Sequence, residues 1–182
     1  SRHSPRNQAV AEVLNRAGIA TLLFDLLTPE EALDRANVFD IGLLARRLLA
    51  GTRWVAAQPE TTALDIGYFG ASTGAGAALW AAAESEVRIG AVVSRGGRPD
   101  LAGGHLASVR SPTLLIVGGL DREVLDLNRA AATKLRCEHR VSVVPGAGHL
   151  FEEPGTLDTA AGLARDWLVQ HLVGANAIGS SA

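Results

Sequence analysis

Four largely apolar runs, LDIGYF (64–69), IGAVVS (89–94), TLLIVGG (113–119) and RVSVVPG (140–146), punctuate the chain at intervals that leave room for helices between them. A fifth, IATLLFDLL (19–27), comes before them. These runs have the length of strands and little polar alternation, so each strand is expected to be covered on both faces. Helical spacing fills the intervals. Val10, Val13, Leu14 and Ala17 fall on one helical stripe that Gly18 ends. Asp40 can cap a helix bearing Ile41, Leu44, Ala45, Leu48, Thr52 and Val55, with Pro59 just beyond it. Further helices are predicted over 73–84 and 124–136, and a last one carries Ala160, Leu163, Ala164, Trp167, Leu168 and His171. TPEEALDRANV (28–38) reads as a loop, and 95–110 as a glycine-rich connection with one short helix. Strand–helix alternation with right-handed crossovers gives an α/β fold: a doubly wound, mainly parallel sheet with helices on both faces.

The chain has 182 residues, 47% hydrophobic and 20% charged, which suits one globular domain with a sizeable core. That domain is read as 1–173, and GANAIGSSA (174–182) as a flexible tail. A formal net charge of −2 gives no basic footprint for nucleic acid. No apolar run reaches the roughly 18–20 residues a membrane span needs, so no membrane partner is expected. The single cysteine, Cys137, leaves no internal disulfide and no cysteine-based zinc site, and reads as an inert thiol near a helix end. With no signal peptide visible, a cytoplasmic location is expected. The chain lacks methionine and opens on the polar SRHSPRN, so upstream sequence, including N-terminal strands of the sheet, is expected to be missing.

In such sheets, sites form beyond the carboxyl ends of the strands. GYFGASTGAGAALW (67–80) lies there and admits two readings. Gly70-Ala71-Ser72-Thr73-Gly74 fits G-x-S-x-G, the sharp turn that presents a nucleophilic serine. Gly70, Gly74 and Gly76 also fit the glycine-rich turn that opens short-chain dehydrogenases, with Arg95 as a contact for a 2′-phosphate. Against the dinucleotide reading, a strand, a loop and a long helix already precede the turn. The only tyrosine, Tyr68, also lies before it, whereas those enzymes place theirs well downstream.

Two residues after later strands favour the serine. Asp121 follows TLLIVGG and His149 follows RVSVVPG, so Ser72, Asp121 and His149 reach one edge of the sheet in the chain order of the α/β-hydrolases. A serine hydroxyl is a poor nucleophile until an imidazole takes its proton. A carboxylate then fixes the imidazole tautomer and stabilises the imidazolium. Glu123 and Asp126 are weaker candidates for that acid. Small neighbours, Gly70, Ala71 and Gly74, suit a strained elbow. The backbone N–H of Thr73 is a candidate oxyanion donor, and the second donor is expected at or upstream of Ser1-Arg2-His3-Ser4. Arg95 and Arg98, in SRGGRPD, could bind an anionic substrate group through their forked donors, or pair with Asp100 instead. Residues 95–111 leave no room for a helical lid. His171 reads as a packed histidine, His105 and His139 as solvated, and His3 as a surface residue.

GYFGASTG, SRGGRPDLA, PTLLIVGGLD and PGAGHLFEEPG together resemble the dienelactone-hydrolase-like branch of the α/β-hydrolases, from SRHSPRN to about Leu172. The resemblance implies an α/β-hydrolase fold and a serine hydrolase that cleaves an ester, lactone or thioester through Ser72, Asp121 and His149, with no metal or organic cofactor. Dienelactone hydrolases proper carry cysteine at the elbow, so lactone specificity does not transfer to Ser72. Similar proteins occur fused to a phosphoribosyltransferase domain, which makes such a domain an expected partner. The open alternatives are a non-catalytic binding module on the same fold and the nicotinamide-dependent oxidoreductase.

Overall fold

A computed structural model describes residues 1–173; the predicted tail, 174–182, lies outside them. Helix α1 (Pro5–Arg16) starts on a proline at its first position, where the missing N–H is no loss, and so begins earlier than the apolar stripe suggests. Within the segment expected to be a loop lie a short 3₁₀ turn (Glu31–Leu33) and helix α2 (Arg35–Phe39). Asp34 starts α2 by accepting the Ala36 N–H at 2.9 Å. Asp40 caps helix α3 (Ile41–Ala56) as predicted, accepting the Leu43 N–H at 2.8 Å.

Strand β1 (Ile66–Ala71) runs directly into helix α4 (Thr73–Glu84), and strand β2 (Ile89–Arg95) follows. The glycine-rich connection forms 3₁₀ turns over Pro99–Ser108, broken at Gly103. Strand β3 (Thr113–Gly118), helix α5 (Arg122–Ala132), strand β4 (His139–Val144) and helix α6 (Thr156–Leu168) follow, and a π-helical turn (Val169–Val173) ends the described residues. The four strands pair in parallel in the order β1-β2-β3-β4.

Side chains alternate across the sheet and feed two cores. Ala91, Val93, Leu114 and Ile116 pack with Val10 and Leu14 of α1 and Ala160, Ala164 and Trp167 of α6. Val92 and Leu115 pack on the opposite face with Ala45, Ala78, Leu79 and Ala131, from α3, α4 and α5. β2 and β3 are buried along their whole length, as the unbroken apolar runs required, whereas β4 is half exposed at the sheet's edge. The layered arrangement thus follows the sequence reading, with one correction.

IATLLFDLL does not form a strand. Ile19 to Phe24 alternate between half-buried and exposed, Leu22 being 54% exposed, and Asp25 to Leu27 are all half-buried. Among the described residues no backbone–backbone hydrogen bond reaches positions 20–27. This segment and β1 line one cavity of about 1500 Å³, and among the described residues β1 pairs only with β2. An apolar run becomes a strand only where another strand takes up its backbone groups, and here none does. No helix among the described residues is long and apolar enough to cross a membrane.

Candidate active site

Ser72 sits where β1 turns into α4, with φ 51° and ψ −127°. That backbone is sparsely populated for a residue with a Cβ and stores about 1–3 kcal/mol, so the surroundings must hold it. The Ser72 carbonyl accepts two N–H groups, from Ala75 at 3.1 Å and Arg98 at 3.0 Å. Gly70 provides the clearance: a Cβ there would lie 2.5 Å from the Gly74 carbonyl oxygen and 2.6 Å from Ala75 Cα. Gly74, credited with the same role in the sequence, faces open space and has no such constraint. Gly76 is a packing glycine, its absent Cβ 2.9 Å from the Arg98 carbonyl oxygen.

Asp121 precedes α5, but its side chain does not cap that helix. Its Oδ2 lies 2.6 Å from His149 Nδ1 instead. An ionised carboxylate can only accept, so Nδ1 carries the proton and Nε2 of the neutral ring is left as an acceptor. Asp121 is mostly buried and His149 partly open, their side chains being 14% and 42% exposed. Glu123 and Asp126 stay on α5, Asp126 with its carboxylate 3.6 Å from Arg129. Ser72, Thr73 and His149 line the large cavity together. No hydrogen bond among the described residues joins Ser72 Oγ to His149. The Thr73 N–H opens α4, where the helix dipole favours developing negative charge.

The two arginines part ways. Arg98 forks onto Asp100, at 2.9 and 2.7 Å, and its guanidinium is held above its ordinary range chiefly by that carboxylate. Arg95 is buried under α1, its Nη2 donating to Asn7 Oδ1 at 3.1 Å and its guanidinium carbon 5.6 Å from the Phe69 ring centre. Its Nη1 is buried with no partner among the described residues. Burial, with Arg6 nearby, pushes Arg95 down to about 10. Arg95 lines the cavity with Ser72 and His149; Arg98 does not.

His171 and His105 do not line this cavity, whereas His3 does. His171 packs against Trp167, with ring centres 4.5 Å apart. His105, expected to be solvated, stacks on Trp80 at 3.9 Å and faces Glu84 at 3.1 Å. Cys137 is half-buried, and burial raises its thiol pKa.

Sequence reasoning missed the residues that fasten the His149 loop. Phe151 is buried at φ 55°, Gly96 at φ 51° leaves room for the His149 carbonyl, and Glu153 accepts the Gly148 N–H at 3.0 Å. All three lie within PGAGHLFEEPG and SRGGRPDLA, but nothing in those stretches marks them as the residues that hold the loop.

No family model matches the chain. A Mycobacterium tuberculosis protein provisionally named a phosphoribosyl transferase is 65% identical over 174 residues, which are 96% of this chain but 39% of that protein. The chain therefore spans well under half the length of the curated relatives it matches. Among solved structures, the esterase domain of a Rhodothermus marinus protein shares the fold, with a TM-score of 0.73 and 17% identity over 94% of this chain and 82% of that one. The crystal structure of a dienelactone hydrolase from Anabaena variabilis matches with a TM-score of 0.90 and 55% identity over 94% of this chain and 82% of that one. The glycine turn is thus part of a hydrolase fold rather than a dinucleotide-binding one, and the chain belongs to the dienelactone hydrolase family, hydrolases built on the α/β-hydrolase fold.

Proposed function

We propose that the chain is a serine hydrolase acting on a carboxylic ester, lactone or thioester through Ser72, His149 and Asp121. The observation that carries this reading is the 2.6 Å contact of His149 Nδ1 with Asp121, in a cavity shared with a serine held at positive φ. Ser72 Oγ attacks the acyl carbonyl carbon while His149 Nε2 takes its proton. The oxyanion forms beside the Thr73 N–H and the positive end of α4. His149 returns the proton to the leaving oxygen or sulfur, whose bond to the acyl carbon breaks. Water, deprotonated by His149, then releases the acid and restores Ser72.

Arg95 supports an anionic substrate: a largely buried cation lines the same cavity, although its Nη1, unpartnered among the described residues, is itself buried. Arg98, committed to Asp100, is the weaker candidate. The hydrolase unit is read as 1–173. The long Mycobacterium tuberculosis relative supports a phosphoribosyltransferase segment as a covalent or associated partner. A non-catalytic binding module on this fold is the second reading, favoured by the lack of a Ser72–His149 hydrogen bond.

A fluorophosphonate probe distinguishes the two. Labelling of the wild type and none of Ser72→Ala is the expected result. A wild type that neither labels nor hydrolyses short acyl esters overturns the hydrolase reading.

A further inference from the structure

His149 stands on a loop between β4 and α6 whose own backbone bonds are long: the Ala147 N–H to the Val144 carbonyl at 3.3 Å and the Phe151 N–H to the Gly148 carbonyl at 3.4 Å. Gly146 turns at φ 74° and Phe151 is held at φ 55°, a left-handed conformation that a bulky aromatic residue seldom adopts. Something must hold this loop, because strained backbone persists only where surrounding contacts over-determine it. On one side, the Leu120 N–H donates to the Ala147 carbonyl at 2.9 Å, next to Asp121. On the other, the Glu153 carboxylate reaches back across the loop and takes the Gly148 N–H at 3.0 Å, one residue before His149. Glu153 is itself fastened to the first turn of α6. Its carbonyl accepts the Thr156 N–H at 3.1 Å and the Thr156 hydroxyl at 2.7 Å, and Thr156 is buried. The carboxylate lies close over the loop: a Cβ on Gly148 would come within 2.8 Å of Glu153 Oε1.

The neighbouring carboxylate offers a contrast. Glu152 pairs with Arg6 at 2.9 Å, but it is 65% exposed and touches no backbone group of the loop. Exposed pairs of this kind hold little.

We infer that Glu153 is the positioning residue for His149: by holding the Gly148 N–H it sets where the imidazole stands between Asp121 and Ser72. The inference rests on the reading of His149 as the general base. Gly148 N–H foremost, with the N–H groups of Glu153 and Glu152, holds the Glu153 carboxyl below its ordinary range, as expected of an ionised acceptor in place.

The test compares wild type, Glu153→Ala, Glu153→Gln and, as a control, Glu152→Gln. Glutamine keeps an acceptor at the same reach; alanine removes it. Ester hydrolysis is followed as kcat and KM separately, and the His149 Nδ1–H by its downfield proton resonance. Glu153→Ala is expected to lower kcat by about tenfold to a hundredfold, with KM kept within about twofold. Its Nδ1–H resonance should broaden into solvent exchange. Glu153→Gln should recover most of kcat and the sharp resonance, and Glu152→Gln should match wild type in both. Should Glu153→Ala not fold, Glu153→Asp, one methylene short, is expected to show the same loss of kcat and the same broadening. Glu153→Ala with kcat near wild type and an intact resonance overturns the inference, as does an equal loss in Glu152→Gln. The resonance does not depend on turnover. A wild type that fails to label at Ser72 therefore counts against the hydrolase reading, while the resonance still reports whether Glu153 holds the ring.

Discussion

Gly70 and Gly74 occupy equivalent places in G-x-S-x-G, yet alanine at each should act with opposite sign. At Gly70 the new Cβ would meet three backbone atoms: the Gly74 carbonyl oxygen at 2.5 Å, Ala75 Cα at 2.6 Å and Ala75 N at 2.7 Å. Unstrained carbon contacts lie at about 3.5–4.0 Å, so β1 and the first turn of α4 must separate by roughly 1 Å. Overpacking of this kind costs about 1–3 kcal/mol. At about 2–4 °C per kcal/mol for a chain of this size, the melting temperature of Gly70→Ala should fall by roughly 2–12 °C. Ser72 lies between the separating elements, and a displacement of about 1 Å is enough to lower turnover by about a hundredfold. At Gly74 no atom lies within 4 Å of the added Cβ, and the backbone is that of α4. Alanine there restricts the unfolded chain and should stabilise by about 0.4–1 kcal/mol. Differential scanning calorimetry of both variants at neutral pH, with initial rates on a short acyl ester, checks the pair. Gly70→Ala melting at or above wild type with full activity would refute the reasoning, as would Gly74→Ala melting several degrees lower.

Ser72→Gly should relieve the elbow. Glycine adopts φ 51° without the penalty a Cβ brings, so part of the stored strain of about 1–3 kcal/mol is recovered, less about 0.5–1 kcal/mol of added backbone entropy in the unfolded chain. The variant should melt slightly higher than wild type while losing all fluorophosphonate labelling, and a lower melting point would sink the strain argument. The Glu31–Arg47 pair gives a pH prediction. The Arg47 guanidinium, with the Thr28 N–H, holds Glu31 at about 2, below its ordinary 4.5. A folded pKa below the unfolded one means stability fully present above 4.5 and lost as pH falls towards 2. Melting curves of wild type and Glu31→Gln should therefore differ near neutral pH and converge across that acid window; a constant gap would contradict it.

What the sequence made legible is what each residue carries by itself. Val92, Val93, Leu114, Leu115 and Ile116 are apolar wherever they point, so burial of β2 and β3 on both faces could be read directly. Asp40 announces a helix start because its side chain bonds three residues along the same chain. IATLLFDLL carries the same apolar signal, yet a strand is a relation between two backbones, and that relation has no trace in periodicity. Phe151 and Glu153 escaped for the same reason: one departs from the φ its side chain prefers, and the other acts on a backbone N–H five residues back.

The arginines after β2 lie between these cases. Three positions apart in SRGGRPD, they looked interchangeable, yet Arg95 ends buried beneath α1 and Arg98 pairs at the surface with Asp100. Strand parity separates them. Ala91 and Val93 face the core shared with α1 and α6, and Arg95 is the next residue of that parity in β2, so its side chain enters the same layer and meets Asn7. Arg98 lies beyond the strand, where parity no longer applies and the nearest carboxylate, two residues on, captures it. The position of β2's end therefore decides which guanidinium lines the cavity with Ser72. A one-residue shift of that register would exchange Arg95 for Ser94 in the layer under α1 and remove the cation from the candidate site.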